Sequence, residues 1–287
     1  MIYQSVFAPN LFANQTIIIT GGGSGIGRCT AHELASLGAT TLLVGRKAEK
    51  LNSVCAEIRA NEGKASAYPC DVRDEAAVKT LIGAILSDHG PIHGLVNNAG
   101  GQYPSPLAQI NQKGFETVVR TNLVGGFLMA REVFTQSMHK TGGAIVNMLA
   151  DMWGGMPGMG HSGAARAGMD NITKTAAVEW AYCGVRVNAV APGWIASSGM
   201  DTYQEPFRSL LPGLKQAVPL KRLGTEAEVS GAICFLLSDA AQFINGATLR
   251  IDGAASLGSH IFPLPDCEPS PSFDGFHLSS TPQVLEE

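Results

Sequence analysis

The sequence predicts a doubly wound α/β fold, a parallel sheet of about seven strands with helices on both faces, and three observations carry that expectation. Short apolar runs alternate with helix-like stretches, without a break in composition, as far as about Gly253. The glycine string Thr20-Gly21-Gly22-Gly23-Ser24-Gly25-Ile26-Gly27 stands directly behind the apolar run Thr16-Ile17-Ile18-Ile19. The composition, with 45% hydrophobic residues, 15% charged residues and 34 glycines, suits a sheet buried on both sides.

Strands are expected at Thr16 to Thr20, Thr40 to Val44, Ala65 to Cys70, Gly94 to Asn97, Ala144 to Met148, Arg186 to Val190 and Thr248 to Ile251. Amphipathic helices fit between them, among them Asp74 to Asp88 and Ser162 to Tyr182. Crossovers in such a sheet are right-handed, and the site lies beyond the carboxyl ends of the strands.

The first strand and its glycine string form the cradle of a Rossmann-type dinucleotide site. Gly21 allows the tight turn, Gly25 lets backbone approach pyrophosphate, and Gly27 lets the helix pack close on the strand. Ser24 and Ile26 sit between them, where free N–H groups of the helix start aim at an anion. The alternative is a flexible glycine-rich turn. After the second strand, Arg46 and Lys47 stand where an acidic residue would bind the adenosine ribose of NAD, so NADP is favoured. The same two side chains also suit ordinary solvated charges at a helix start. Asp71 and Val72 end the third strand, placed to meet adenine; Asp71 is alternatively the cap of the helix near Asp74.

Two segments break the rhythm. Residues 196–220 carry Tyr203, Pro206, Phe207, Pro212 and Pro219 and read as a lid over a substrate. Residues 258–287, rich in Pro, Ser and acidic groups, read as a tail, either dangling or packed on a neighbouring subunit, behind one domain over residues 1–257.

A net charge of −4 gives no general attraction to nucleic acid or anionic membrane. Six cysteines (Cys29, Cys55, Cys70, Cys183, Cys234, Cys267) form no CxxC pair and no metal-ligand spacing, and read as free thiols in a reducing compartment. With no charged leader, no membrane-length apolar run and no Ser-Lys-Leu ending, a cytoplasmic protein is expected.

The cradle, Asp71-Val72, the run Asn97-Asn98-Ala99-Gly100, Asn122 within Thr-Asn-Leu-Val-Gly and Pro192-Gly193 together resemble the short-chain dehydrogenase/reductase family over Gln15 to Gly253. The resemblance implies hydride transfer, with Asn98, Ala99 and Gly100 beside the cofactor and Gly193, Ile195 and Ser197 in the nicotinamide-facing loop. Taken alone, Asn122 is equally a buried asparagine kinking its helix.

The family's proton relay is a serine, then a tyrosine, then a lysine one helical turn further on. Lys⁺ lowers the phenol pKa so that it can pass a proton to a carbonyl oxygen. Here Ser162 holds the tyrosine position and Arg166 the lysine position, while Leu149, Ala150 and Asp151 follow the fifth strand without a serine. The run from His161 to Gly168 is similar to the peroxisomal trans-2-enoyl-CoA reductase branch and, less closely, to the peroxisomal 2,4-dienoyl-CoA reductases. That likeness implies NADPH-dependent reduction of a C=C bond conjugated with a thioester, which needs no phenol at the carbonyl. On this reading Arg166 binds the nicotinamide ribose, Ser162 or His161 donates to the thioester oxygen, and Asp151 orients a water. Asp170, four residues after Arg166, is placed to pair with it on the helix surface. The small residues Gly163, Ala164, Ala165, Ala167 and Gly168 admit a close helix, and relatives use this helix between subunits, which implies a homodimer or homotetramer. Two other functions stand beside this one: a dehydrogenase of a hydroxyacyl-CoA or alcohol in fatty acid or acyclic terpene catabolism, and a non-catalytic NADP-binding subunit.

Overall fold

Seven parallel strands lie in the order β3-β2-β1-β4-β5-β6-β7. The computed structural model describes residues 2–257, 264–265 and 267–286. The strands are β1 (Thr16–Thr20), β2 (Thr40–Gly45), β3 (Lys64–Pro69), β4 (Gly94–Asn97), β5 (Gly143–Met148), β6 (Val185–Pro192) and β7 (Thr248–Ile251). The helices are α1 (Gly25–Ser36), α2 (Ala48–Ala60), α3 (Glu75–His89), α4 (Gln112–Val119), α5 (Gly125–Val133), α6 (His139–Thr141), α7 (Gly160–Glu179) and α8 (Glu226–Leu237). Chain order runs from β1 outward to β3 and then returns to β4 on the other side of β1. The strand order therefore reverses between β1 and β4, and the crevice for a ligand opens there.

The apolar strands are buried because successive side chains point to opposite faces. Ile17, Ile19, Leu43, Val96, Val146 and Val190 form one core layer with Leu34, Leu51 and Ile233. Ile18, Leu42, Leu95, Ile145 and Val187 form the other with Ile82, Met129 and Ala176. Register is continuous through the centre of the sheet, with Ile18 opposite Leu42 on one side and Leu95 on the other.

The observed elements depart from the expected boundaries at their ends. The helix expected from Asp74 starts at Glu75, because Asp74 is its cap and accepts a hydrogen bond from Ala77 N at 3.0 Å. Asp71 therefore does not cap it. The helix expected over Ser162 to Tyr182 starts at Gly160 and ends at Glu179, and Ala181–Cys183 tighten into a 3₁₀ turn. Between α4 and α5 the helix widens into a π-turn over Arg120–Val124, with Asn122 inside it.

Residues 258–263, 266 and 287 of the expected tail lie outside the described residues. The described part packs on its own chain and does not dangle. Gln4 N donates to Gly275 O at 2.8 Å, and Thr225 Oγ1 donates to Phe273 O at 2.6 Å. Phe276 is 2% exposed, against Tyr3, His32 and the Arg28 guanidinium. Further on, Val284 is buried against Met200 and Leu211 of the segment after β6, and its N–H donates to Asp201 Oδ1 at 3.0 Å. Isolated aromatic and aliphatic side chains in a Pro- and Ser-rich stretch carry no periodicity, so their burial was not readable in advance.

The six cysteines are free thiols, and among the described residues no helix is long and apolar enough to cross a membrane.

Candidate dinucleotide and active site

Gly21 and Gly25 have φ of +68° and +57°, the left-handed backbone that glycine adopts without strain. The turn they make leads into α1, whose N-cap Ser24 makes no side-chain cap hydrogen bond, so the first N–H groups stay available to an anion. A Cβ on Gly27 would stand 2.5 Å from Asn98 Nδ2 and 2.9 Å from the Gly21 carbonyl carbon. Hydrogen at that position is what lets α1 sit down on β1.

The turn is tied to β4 from below. Thr20 Oγ1 donates to Val96 O and accepts from the N–H groups of Asn98 at 3.0 Å and Ala99 at 2.9 Å. Asn98 Nδ2 donates to Thr20 O at 3.0 Å. Ala99 and Gly100 follow at the mouth of the crevice. A Cβ on Gly100 would lie 2.8 Å from Arg166 Nη2 and 3.1 Å from Asn122 Oδ1, so three of the expected site residues meet at one point.

Asn122 is buried in the π-turn, its Oδ1 accepting from Gly101 N at 2.9 Å and its Nδ2 left without a protein partner. Arg166, on α7, reaches across to β5, where Nη1 donates to Met148 O. Its Nε is buried and unpartnered, and burial pulls the guanidinium pKa down to about 10. The pairing expected with Asp170 is not made. Asp170 instead holds Lys174 Nζ at 2.5 Å and Thr248 Oγ1 at 2.6 Å, because Arg166 points at the strand end and Asp170 at β7. A buried cation with a free N–H and a buried amide with a free N–H beside a glycine cradle fit a polyhydroxylated, phosphorylated dinucleotide.

At the far end of the crevice Arg46 and Lys47 are exposed behind β2. Asp71 is clamped by Arg73, with Nε to Oδ1 at 2.9 Å and Nη2 to Oδ2 at 2.5 Å. That clamp, and more weakly the charge of Arg46, hold the Asp71 carboxyl below its usual range. Val72 is buried beneath Gly125.

A cavity of about 570 Å³ opens beyond β4, β5 and β6, lined among others by Ile26, Asn98, Gly100, Asp151, Arg166, Gly193, Ile195 and Ser197. Burial, followed by the charge of Asp252, raises the Asp151 pKa, while a hydrogen bond from Trp153 N–H and the charge of Arg250 oppose the rise. His161 and Ser162 are fully buried and stand outside the cavity wall. The His161 ring is edge-on to Tyr103 with centroids 4.6 Å apart, and Ser162 Oγ donates to Gln102 Oε1 at 2.6 Å. The hydrogen-bonding groups at the wall that sequence reasoning missed are Gln102 and the Tyr203 hydroxyl, 3.2 Å apart. The signals for them were the place of Tyr203 in segment 196–220 and that of Gln102 at the end of the run Asn98-Ala99-Gly100-Gly101-Gln102.

Comparison with known proteins gives the same picture. The family model described as Enoyl-(Acyl carrier protein) reductase matches residues 21–256. A Bacillus subtilis protein named a probable 2,4-dienoyl-CoA reductase [(2E)-enoyl-CoA-producing] is 35% identical over 251 residues, 86% of this chain and 99% of its own. The peroxisomal 2,4-dienoyl-CoA reductase [(3E)-enoyl-CoA-producing] of Danio rerio is 33% identical over 261 residues, 90% of this chain and 86% of its own. Among solved structures, the citronellol catabolism dehydrogenase AtuB of Pseudomonas aeruginosa is 67% identical with a TM-score of 0.81, covering 88% of this chain and all of that one. At these identities and coverages, the chain belongs to the short-chain dehydrogenase/reductase family of NAD(P)-binding oxidoreductases.

Proposed function

We propose that the chain reduces the C=C bond of a 2-enoyl-CoA, or of a related unsaturated acyl-CoA, with NADPH. The observation that carries this reading is the pair Ser162 and Arg166 in the relay positions. A serine hydroxyl walled off from the cavity and a guanidinium that keeps its proton do not make a carbonyl-reducing relay. The names of the two dienoyl-CoA reductase relatives support the same chemistry.

When bound, the dinucleotide supplies a hydride. The cradle from Gly21 to Gly27 holds its pyrophosphate, and Asn98, Ala99, Gly100, Gly193, Ile195 and Ser197 bound its reactive end. Arg166 and Asn122 would hold ribose hydroxyls with their free N–H groups. Asp151 delivers a proton to the α-carbon directly or through a water, and its raised pKa keeps that proton to higher pH. Segment 196–220 closes over the acyl chain and excludes water.

A donor whose pKa is raised works below that pKa and is lost as pH rises through it. Activity is therefore expected to fall on the alkaline side in the wild type. Asp151→Asn is expected to lower kcat by about 10²-fold and to flatten that limb. An unchanged pH profile in the variant would remove Asp151 from the mechanism.

Arg46 pairs with the 2′-phosphate through its planar fork, with Lys47 beside it. Arg46→Asp is expected to shift preference from NADPH toward NADH by about 10²-fold in kcat/KM. Equal loss with both cofactors would show that Arg46 does not read the phosphate.

A second reading, a dehydrogenase of a hydroxyacyl-CoA or alcohol in acyclic terpene catabolism, is favoured by the 67% identity to AtuB. The two readings separate on substrate. NADPH oxidation followed with crotonyl-CoA and longer or branched 2-enoyl-CoAs is expected, with acetoacetyl-CoA inert. NADP reduction by citronellol without turnover of any enoyl-CoA would establish the second reading instead. Dinucleotide binding with no turnover would leave a non-catalytic subunit.

A further inference from the structure

Ser162 stands on α7 where the resemblance places a tyrosine, and its hydroxyl is fully buried. Among the described residues its side-chain partner is Gln102 Oε1, at 2.6 Å. Gln102 in turn donates from Nε2 to the Tyr203 hydroxyl oxygen at 3.2 Å. The polarity of this chain follows from hydrogen-bond capacity. Were the amide turned over, its NH₂ would donate to Ser162, and the serine proton would be orphaned at a buried position. With Ser162 donating, the amide oxygen is engaged on the buried side and its NH₂ faces Tyr203. The phenol oxygen then accepts, and its own proton is left for a partner in the cavity that both Gln102 and Tyr203 line.

We propose that Tyr203 donates this hydrogen bond to the thioester oxygen of the substrate, and that Ser162 and Gln102 are positioning residues that keep the phenol proton turned toward it. The proposal rests on the C=C reduction reading above. In that reduction hydride adds to the β-carbon, the C=C pair shifts to join the α-carbon and the carbonyl carbon, and the carbonyl π pair leaves negative charge on the thioester oxygen. The Tyr203 O–H stabilises that charge and keeps its proton; the proton that balances the reaction goes to the α-carbon. The tyrosine absent from α7 is thus replaced by one from the segment after β6, working as a hydrogen-bond donor that transfers no proton. The ring is held independently of its hydroxyl, edge-on to Phe207 at 5.2 Å between centroids, with Phe207 6.0 Å from Trp194.

Tyr203→Phe keeps those ring contacts, so the fold and NADPH affinity are expected to stay as in the wild type. Its kcat with a 2-enoyl-CoA is expected to fall about 10²-fold, with KM changed less than about 3-fold. A second readout needs no turnover. The infrared carbonyl stretch of a thioester-¹³C-labelled 2-enoyl-CoA, bound with NADP⁺, is expected to shift down in the wild type and to lose that shift in Tyr203→Phe. Gln102→Glu accepts from both neighbours and captures the phenol proton, so it is expected to reproduce both losses. Wild-type kcat and carbonyl shift in Tyr203→Phe would overturn this role while leaving C=C reduction standing. Losses in Tyr203→Phe without losses in Gln102→Glu would overturn the positioning chain. A wild type inert toward every 2-enoyl-CoA would overturn the functional reading, and this inference with it.

Discussion

Replacing Gly27 by alanine is expected to weaken NADPH binding by at least about 10²-fold, although a single methyl group is added. The new Cβ has no room: Asn98 Nδ2 would be 2.5 Å away and the Gly21 carbonyl carbon 2.9 Å away. Neither neighbour is the free end of a flexible side chain. Gly21 is backbone in the left-handed region, and Asn98 is held by its bond to Thr20 O. The helix must therefore lift from the strand, at a cost of roughly 1–3 kcal/mol for overpacking, and its N–H groups move off the pyrophosphate position. Gly231→Ala, in α8 with nothing within 4 Å of the added carbon, is the matched control and is expected to be neutral or mildly stabilising. Fluorescence titration and the NADPH-induced rise in Tm measure both variants. An unchanged Kd for Gly27→Ala would show that the cradle does not carry the cofactor.

Arg166→Met is expected to separate stability from activity. The guanidinium is buried, its Nε lacks a partner, and no ion pair to it is made among the described residues. Such a charge costs stability in the apo protein, so a methionine of similar length is expected to raise the apo Tm, corresponding to about 1–2 kcal/mol. The same change removes the N–H groups proposed to hold the ribose, and kcat/KM is expected to drop by about 10³-fold. Differential scanning calorimetry and steady-state kinetics on one preparation test the pair of effects. A variant that loses both stability and activity would make Arg166 a structural residue that happens to line the site.

The sheet was legible because its signal is local. Three consecutive isoleucines ahead of a glycine string leave little choice of conformation, and all seven strands fall within a few residues of expectation. Gly21, Gly25 and Gly27 were legible for the same reason. Side-chain partnership was not. Asp71 takes Arg73, two residues away, where helix capping was the alternative reading, and Arg166 takes a strand carbonyl in place of Asp170. Ser162 shares the helix face of Arg166 by spacing and His161 precedes it, yet the loops around Gln102 and Tyr103 cover both. The Gln102–Tyr203 contact joins residues 101 positions apart, which no pattern within a window of sequence reports.

The knot beneath the cradle has a kinetic meaning as well. Thr20 and Gly21 are held by Asn98, and those partners are 78 and 77 positions apart along the chain. The glycine turn is therefore not a product of β1 and α1 alone. It acquires its shape only after β2, β3 and three crossovers have been laid down and β4 has found its register beside β1. During refolding, dinucleotide fluorescence will lag the growth of helical signal, and the interval between them times the closure of the central strand pair.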